Sequence, residues 1–225
     1  MGKTIMNAKN IVLFGTNDWS DMICFYMQQD ERYNPVAYTV DRAYLESETR
    51  NGLPVVPFEN IEELYPTDNY EIMICLGYTK MNTFREAKIK ECVDKGYRIA
   101  SYVHPTAIVL TDKVGVGNLI MEGAIVGYAC NVGNHNIISY GARIGHNTTI
   151  GDYNFVAGGC TTGGEVTIKN NCMLGLNCTV RNCITLDDYT LVGAGAYASK
   201  DTKKAQALTP ARSNLSDKQS FDYKL

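Results

Sequence analysis

Three histidines, one tryptophan and six prolines are all that 225 residues contain of those types, and the formal charge nearly balances at -3. So small a charge leaves no electrostatic footprint for nucleic acid or an anionic membrane surface. No apolar run approaches the roughly twenty residues that span a bilayer. The opening Met1-Gly2-Lys3-Thr4-Ile5-Met6 lacks the continuous apolar core of a signal peptide. The protein therefore reads as cytosolic. Among eight cysteines there is no Cys-x-x-Cys pair, so zinc-finger spacing is absent.

What the chain does have is a period. Counting in sixes from Ile108 through Val114, Ile120 and Val126 to Val192, every position but Thr162 is aliphatic. Glycine often follows directly, as at Gly115, Gly127, Gly145 and Gly163, and a small residue often sits two positions before, as at Ala124, Ala142 and Thr148. Helices repeat every 3.6 residues and strands every two, so neither explains a period of six. This is the hexapeptide repeat of a parallel β-helix. Three hexapeptides make one coil of a triangular prism, the aliphatic points inward, and coils stack at the interstrand spacing of about 4.8 Å. The glycine is expected to relieve backbone strain near the corner. Cys130, Cys160, Cys172 and Cys178 occupy the small inward slot, where thiols behave as small hydrophobes. Cys160 and Cys178, eighteen apart, are expected to stack without a disulfide in a reducing compartment.

Residues 10–102 read differently. Apolar strands at 10–15, 36–40 and 71–77 alternate with helical spacing at 18–29 and 80–95, and another strand follows at 97–101. Such alternation predicts a small Rossmann-like parallel sheet, which binds ligands at the carboxyl ends of its strands. That rule selects Gly15, Thr16 and Asn17, Asp41 and Arg42, and Gly77 and Tyr78. The second and third glycines of a dinucleotide fingerprint are missing after Gly15, so NAD is not expected. Asp41 is a candidate ligand for a base or sugar hydroxyl.

An α/β Rossmann-like domain at 1–103, a β-helix at 104–198 and a tail at 199–225 together resemble the sugar acyltransferases typified by PglD and the NeuD family. Ile144-Gly145-His146-Asn147-Thr148-Thr149-Ile150-Gly151-Asp152-Tyr153 is similar to the family's catalytic segment. Leu208-Thr209-Pro210-Ala211-Arg212 resembles the ending of many hexapeptide acyltransferases. Of the family's Gly-x-Gly-Gly-His-Gly opening, Gly15 alone is present, and the usual Glu or Asp after the histidine is Asn147. The resemblance implies a left-handed β-helix, acetyl-CoA as co-substrate, no metal, and an amino sugar linked to a nucleoside diphosphate as acceptor. It further implies a homotrimer with acyl-CoA held between prisms.

Acyl transfer to an amine needs positioning and proton removal, and histidine is suited to the second. His146 falls near a prism edge with Gly164 one coil above, so it is the expected general base. Asn147 and Glu165 are its candidate orienting partners, Glu165 lying one coil above Asn147. Backbone amides near Gly158, Gly164, Leu176 and Ala194 are the expected oxyanion and pantetheine contacts. His104 reads as a domain-junction residue and His135 as a surface histidine. Alternative readings are sugar O-acetylation, a non-catalytic scaffold, or a zinc-dependent hexapeptide enzyme. The last requires three converging histidines, whereas His135 and His146 occupy different phases of the repeat.

Overall fold

The computed structural model describes residues 8–211 together with Ser213, Leu215, Asp217, Gln219 and Phe221. Arg212, the last residue of the C-terminal resemblance, lies outside them.

Runs of consecutive apolar residues in the first third become strands buried on both faces, the usual pattern of a parallel sheet. Strand β1 (Lys9–Phe14) is central, between β2 (Tyr33–Val40) and β5 (Tyr70–Ile74). Beyond β2 lie β4 (Leu53–Pro57) and then β3 (Thr49–Arg50), and beyond β5 lies β6 (Arg98–Ile99). Every pairing is parallel except β3 with β4. The chain moves outward from β1 through β2 and β4, then returns to the other side at β5. This reversal opens a crevice at the strands' carboxyl ends.

Helix α1 (Asp18–Gln28) starts at a capping box in which the Asn17 side chain accepts from the Ser20 N–H and Ser20 Oγ from the Asn17 N–H. A short α2 (Ile61–Leu64) precedes β5. The helix expected from Lys80 begins instead at Thr83, as α3 (Thr83–Asp94). Lys80, Met81 and Asn82 have φ of 51°, 52° and 65°, in the left-handed region an α-helix cannot contain.

From Tyr102 onward the chain winds a left-handed, three-sided prism of two-residue strands. Face one runs from Ile108–Val109 to Tyr197–Ala198, face two from Asn131–Val132 to Thr185–Leu186, and face three from Tyr102–Val103 to Ala207–Leu208. Through the middle coils partners lie eighteen residues apart, as in Ile137↔Phe155↔Met173. The aliphatic column and the small slot form one continuous core in which Ile120, Ala142, Cys160 and Leu186 are fully buried. The Cys160 and Cys178 sulfurs stack at 3.3 Å as free thiols.

Two expectations need correction. Ile108 is half exposed, and its neighbour Val109 pairs with Val126 and packs on the core. The first coil is one residue short, so the period of six begins in phase only at Val114. The glycine after each aliphatic is not there for φ. Cβ atoms at Gly127, Gly133 and Gly163 would lie within 3 Å of the next coil's backbone, so close stacking requires glycine. The left-handed residues come two positions later, at Asn147, Gly159 and Glu165 among others.

Face three carries the N-terminal unit. Leu119, Ile137 and Phe155 share an apolar cluster with Leu13, Ile23 and Met27. Polar anchors come from the start of α3: Asn82 Nδ2 donates to the Cys172 carbonyl (3.1 Å) and Arg85 Nη2 to the Tyr153 carbonyl (2.6 Å). Arg85 is 2% exposed and meets no carboxylate among the described residues, and burial brings its pKa down to about 10.

Candidate active site

Each prism edge repeats one corner residue every eighteen positions, and three columns result. The edge from face one to face two carries Tyr128, His146, Gly164 and Asn182. The edge from face three to face one carries Tyr140, Gly158, Leu176 and Ala194. The edge from face two to face three carries Val116, Asn134, Asp152, Asn170 and Asp188.

The sequence-selected residues fall on the first two edges. His146 is exposed, and its imidazole lies over Gly164, where a Cβ would meet Nε2 at 2.5 Å. Asn147 Nδ2 lies 3.3 Å from His146 Nδ1. Rotating that amide by half a turn presents Oδ1 to an Nδ1–H and leaves Nε2 as the free base. Glu165 meets His146 through the backbone, its N–H donating to the His146 carbonyl at 2.8 Å, while its carboxylate lies 3.8 Å from Cys183 Sγ. The backbone N–H groups of Gly158, Gly164, Leu176 and Ala194 have no hydrogen-bond partner among the described residues. They remain available to a ligand carbonyl.

On the third edge the equivalent donors are satisfied. The N–H groups of Val116, Asn134, Asp152 and Asn170 donate to the side-chain oxygens of Asn134, Asp152, Asn170 and Asp188 in turn, at 2.6–3.0 Å. Just inside, the buried Asn118, Asn136 and Asn154 form a second ladder, each Oδ1 accepting from the N–H eighteen residues on. Neither ladder is visible in a count by sixes, but Asn134-x-Asn136 and Asp152-x-Asn154 repeat at eighteen.

His135 also lies at this third edge. It is half-buried, stacked on Tyr153 at 5.2 Å, with Nδ1 buried and unpartnered. Burial holds its pKa below the ordinary value, against the nearby Asp152. It is thus a packed ring rather than the surface histidine expected. His104 does lie at the domain junction, edge-on to Tyr26 and Tyr102.

In the N-terminal unit a cavity of about 410 Å³ opens at the carboxyl ends of β1, β2 and β5. Gly15, Thr16, Asn17 and Asp41 line it with Tyr44 and Glu46. Asn17 spends its side chain on the α1 cap and on the Cys75 carbonyl, and Asp41 is bonded by Lys88 at 2.9 Å. Arg42 is exposed beside the cavity, its N–H held by Glu59. Gly77 borders open space, and Tyr78 turns to a second pocket. That pocket, about 320 Å³, lies where the N-terminal unit meets the edge of Gly158, Leu176 and Ala194, with Trp19, Tyr140 and Phe155 among its walls. Trp19 was missed in the sequence, although the chain's one tryptophan directly after the first strand's turn was a usable signal.

No family model and no curated protein matches the sequence. Solved structures do match. The acetyltransferase domain of PglB from Neisseria gonorrhoeae FA1090, in complex with acetyl coenzyme A, superposes with a TM-score of 0.80 at 18% identity, over 89% of this chain and 95% of that one. PerB from Caulobacter crescentus, in complex with CoA and GDP-perosamine, gives 0.78 at 20% identity, over 88% and 92%. WeeI from Acinetobacter baumannii AYE gives 0.78 at 17%, over 89% and 96%. The chain has their fold. The match spans both units joined in the same order, as the sequence resemblance implied.

Proposed function

We propose that this chain is an N-acyltransferase that moves the acetyl group of acetyl-CoA to the amine of an amino sugar linked to a nucleoside diphosphate. One observation carries the reading: an exposed imidazole on an open prism edge, with the unpartnered Gly164 N–H one coil away. Two structures of the same fold bind the corresponding molecules, acetyl coenzyme A in PglB and CoA with GDP-perosamine in PerB.

In the proposed reaction the amine nitrogen attacks the thioester carbonyl carbon. The C–N bond forms as the carbonyl electron pair moves to oxygen, where backbone N–H groups such as that of Gly164 receive the charge. His146 Nε2 takes the proton leaving nitrogen. Collapse breaks the C–S bond, and the imidazolium returns its proton to the CoA thiolate. Asn147 keeps Nδ1 protonated and so leaves Nε2 as the acceptor. Glu165 helps to shape the corner through its backbone bond to His146.

The N-terminal unit covers face three, and the His146 edge is the one opposite that face. An acceptor held by this unit reaches the Gly158 edge of its own chain and meets a His146 only from another copy. A homotrimer, in which each prism offers one edge to each neighbour, satisfies this requirement.

The test is release of CoA thiol from acetyl-CoA against a panel of UDP-, dTDP- and GDP-linked amino sugars, with hydroxyl analogues as controls. Turnover is expected with an amine acceptor, falling by about 10²–10⁴ in His146→Ala while acetyl-CoA binding persists. No free CoA with any acceptor refutes the reading, and an undiminished rate in His146→Ala refutes the base.

A further inference from the structure

The two cavities share a wall. The turn after β1 sends Gly15, Thr16 and Asn17 into the N-terminal cavity but Trp19 into the junction pocket. The segment after β5 divides likewise, with Leu76 and Phe84 lining the first and Tyr78 the second. A molecule that spans both must pass these two loops. Trp19 and Tyr78 converge on the same ring, with centroids 6.4 Å and 5.0 Å from that of Phe155.

The cavities differ in chemistry. The N-terminal one has two carboxylates among its walls, Asp41 and Glu46. The junction pocket has no charged residue in its lining; its walls are aromatic, aliphatic, Met173 or glycine. Its polar groups are Ser139, the Tyr78 and Tyr140 hydroxyls, the Trp19 indole and the backbone N–H groups of Gly158, Leu176 and Ala194. A carboxylate placed there would lose its hydration and find no cation.

Tyr78 is also held in advance. Lys80, Met81 and Asn82 form three consecutive left-handed residues, a backbone that persists where the surroundings enforce it. The enforcement is visible: Asn82 and Arg85 bind carbonyls of two neighbouring coils, at Cys172 and Tyr153. Both are buried, and the two Arg85 donors Nε and Nη1 have no partner among the described residues. Burying a guanidinium with so few partners is a poor route to stability, but it pins the segment that carries Tyr78 to the prism.

We propose that Trp19 and Tyr78 form an aromatic clamp for the amine-bearing ring of the acceptor, whose nucleotide end occupies the N-terminal cavity. The proposal rests on the acyltransferase reading and names the acceptor class within it: an uncharged pyranose ring with an apolar C–H face, not a uronic acid. Aromatic side chains suit such a face because they supply rigid contact area without a fixed charge.

The single tryptophan makes the clamp directly observable. Emission of the full-length wild-type protein is followed while a UDP-, dTDP- or GDP-amino sugar, the matching free nucleoside diphosphate, or acetyl-CoA is added. The amino sugar nucleotide is expected to shift or quench Trp19 emission beyond any change with acetyl-CoA, whereas the free nucleoside diphosphate leaves it unchanged. In turnover, Tyr78→Ala is expected to raise the acceptor KM roughly tenfold, the equivalent of one good ring contact, with the acetyl-CoA KM within about twofold. Tyr78→Phe, which keeps the ring, is expected to recover most of that affinity, and a thermal melt of each variant separates lost contact from lost fold.

An acceptor KM unmoved by Tyr78→Ala, a raised acetyl-CoA KM in its place, or equal use of a uronic acid acceptor overturns the clamp. So does an emission that responds equally to the free nucleoside diphosphate. Those results leave the acyltransferase reading standing, whereas absence of CoA release with every acceptor refutes that reading itself.

Discussion

The prism's edges are built from one repeat, yet they divide into one that is sealed and two that are open. On the sealed edge, between faces two and three, Asn134, Asp152, Asn170 and Asp188 satisfy the outer corner N–H groups. Asn118, Asn136 and Asn154 satisfy the inner ones. On the open edges the same corner positions are His146 and Gly164, or Gly158, Leu176 and Ala194, and their N–H groups have no partner among the described residues. A polypeptide leaves corner donors free only where solvent or a ligand reaches them. The inner ladder of the sealed edge is buried beside the start of α3, where its donors must be paired within the chain, while the outer ladder lies largely exposed. The comparison teaches that one repeat can pair its corner donors on one edge and leave them open to a ligand on the other two.

Substitutions should therefore separate by edge. Asn136→Ala removes the acceptor of the buried Asn154 N–H and Nδ2, and the donor to the Gly151 carbonyl. Two or three unsatisfied buried groups should cost roughly 3 kcal/mol. A denaturant titration should show that loss, while the folded variant keeps its turnover. A stability within 0.5 kcal/mol of wild type, to order of magnitude, would contradict the sealed-edge account.

Gly164→Ala should do the reverse. Its φ suits alanine, and the added methyl meets the imidazole Nε2 and Cε1 of His146, the mobile end of an exposed side chain. The ring must swing aside, so turnover is expected to fall about tenfold or more with little change in melting temperature. Equal losses of both would erase the distinction between edges.

The smallest effect concerns pH and the two histidines. Burial at the sealed edge keeps the folded-state pKa of His135 below its unfolded value. As pH falls through the unfolded value near 6.5, the unfolded chain takes up a proton that the native one refuses. The stability from a neutral His135 is thus present above that pH and lost on the way down to the folded pKa. Each unit of depression accounts for about 1.4 kcal/mol. His135→Asn, whose residue tolerates φ of 58°, should show a flatter stability profile between pH 7.5 and 5. Identical profiles would return His135 to the status of a surface residue.

Much of this was legible beforehand, and the misses have physical causes. The period of six revealed the core, the small slot and the stacked Cys160 and Cys178, because every inward position obeys the same volume limit. It obscured the asparagine ladders, since edge-specific chemistry repeats at eighteen and is diluted threefold in a count by sixes. Ile108 was misassigned because a one-residue slip in the first coil leaves an aliphatic on both sides of it. The rule for strand ends selected Tyr78 without saying which cavity it faces, and Gly77 and the left-handed turn after Thr79 direct it to the pocket against the prism. His146 was selected by scarcity, being one of three imidazoles, and by its corner, where the structure places it exposed.

The hexapeptide sequence by itself determines a three-sided prism, its inward column and the corner that carries His146. Each of these is a local constraint passed from one coil to the next. Only the tertiary structure decides that face three is covered, that the His146 edge therefore lies away from its own N-terminal unit, and that Trp19, Tyr78 and Phe155 gather in one pocket. Those residues are separated by 59 and 77 positions in the chain. No periodicity links them, and their meeting depends on how two independently patterned units bury their apolar faces against each other.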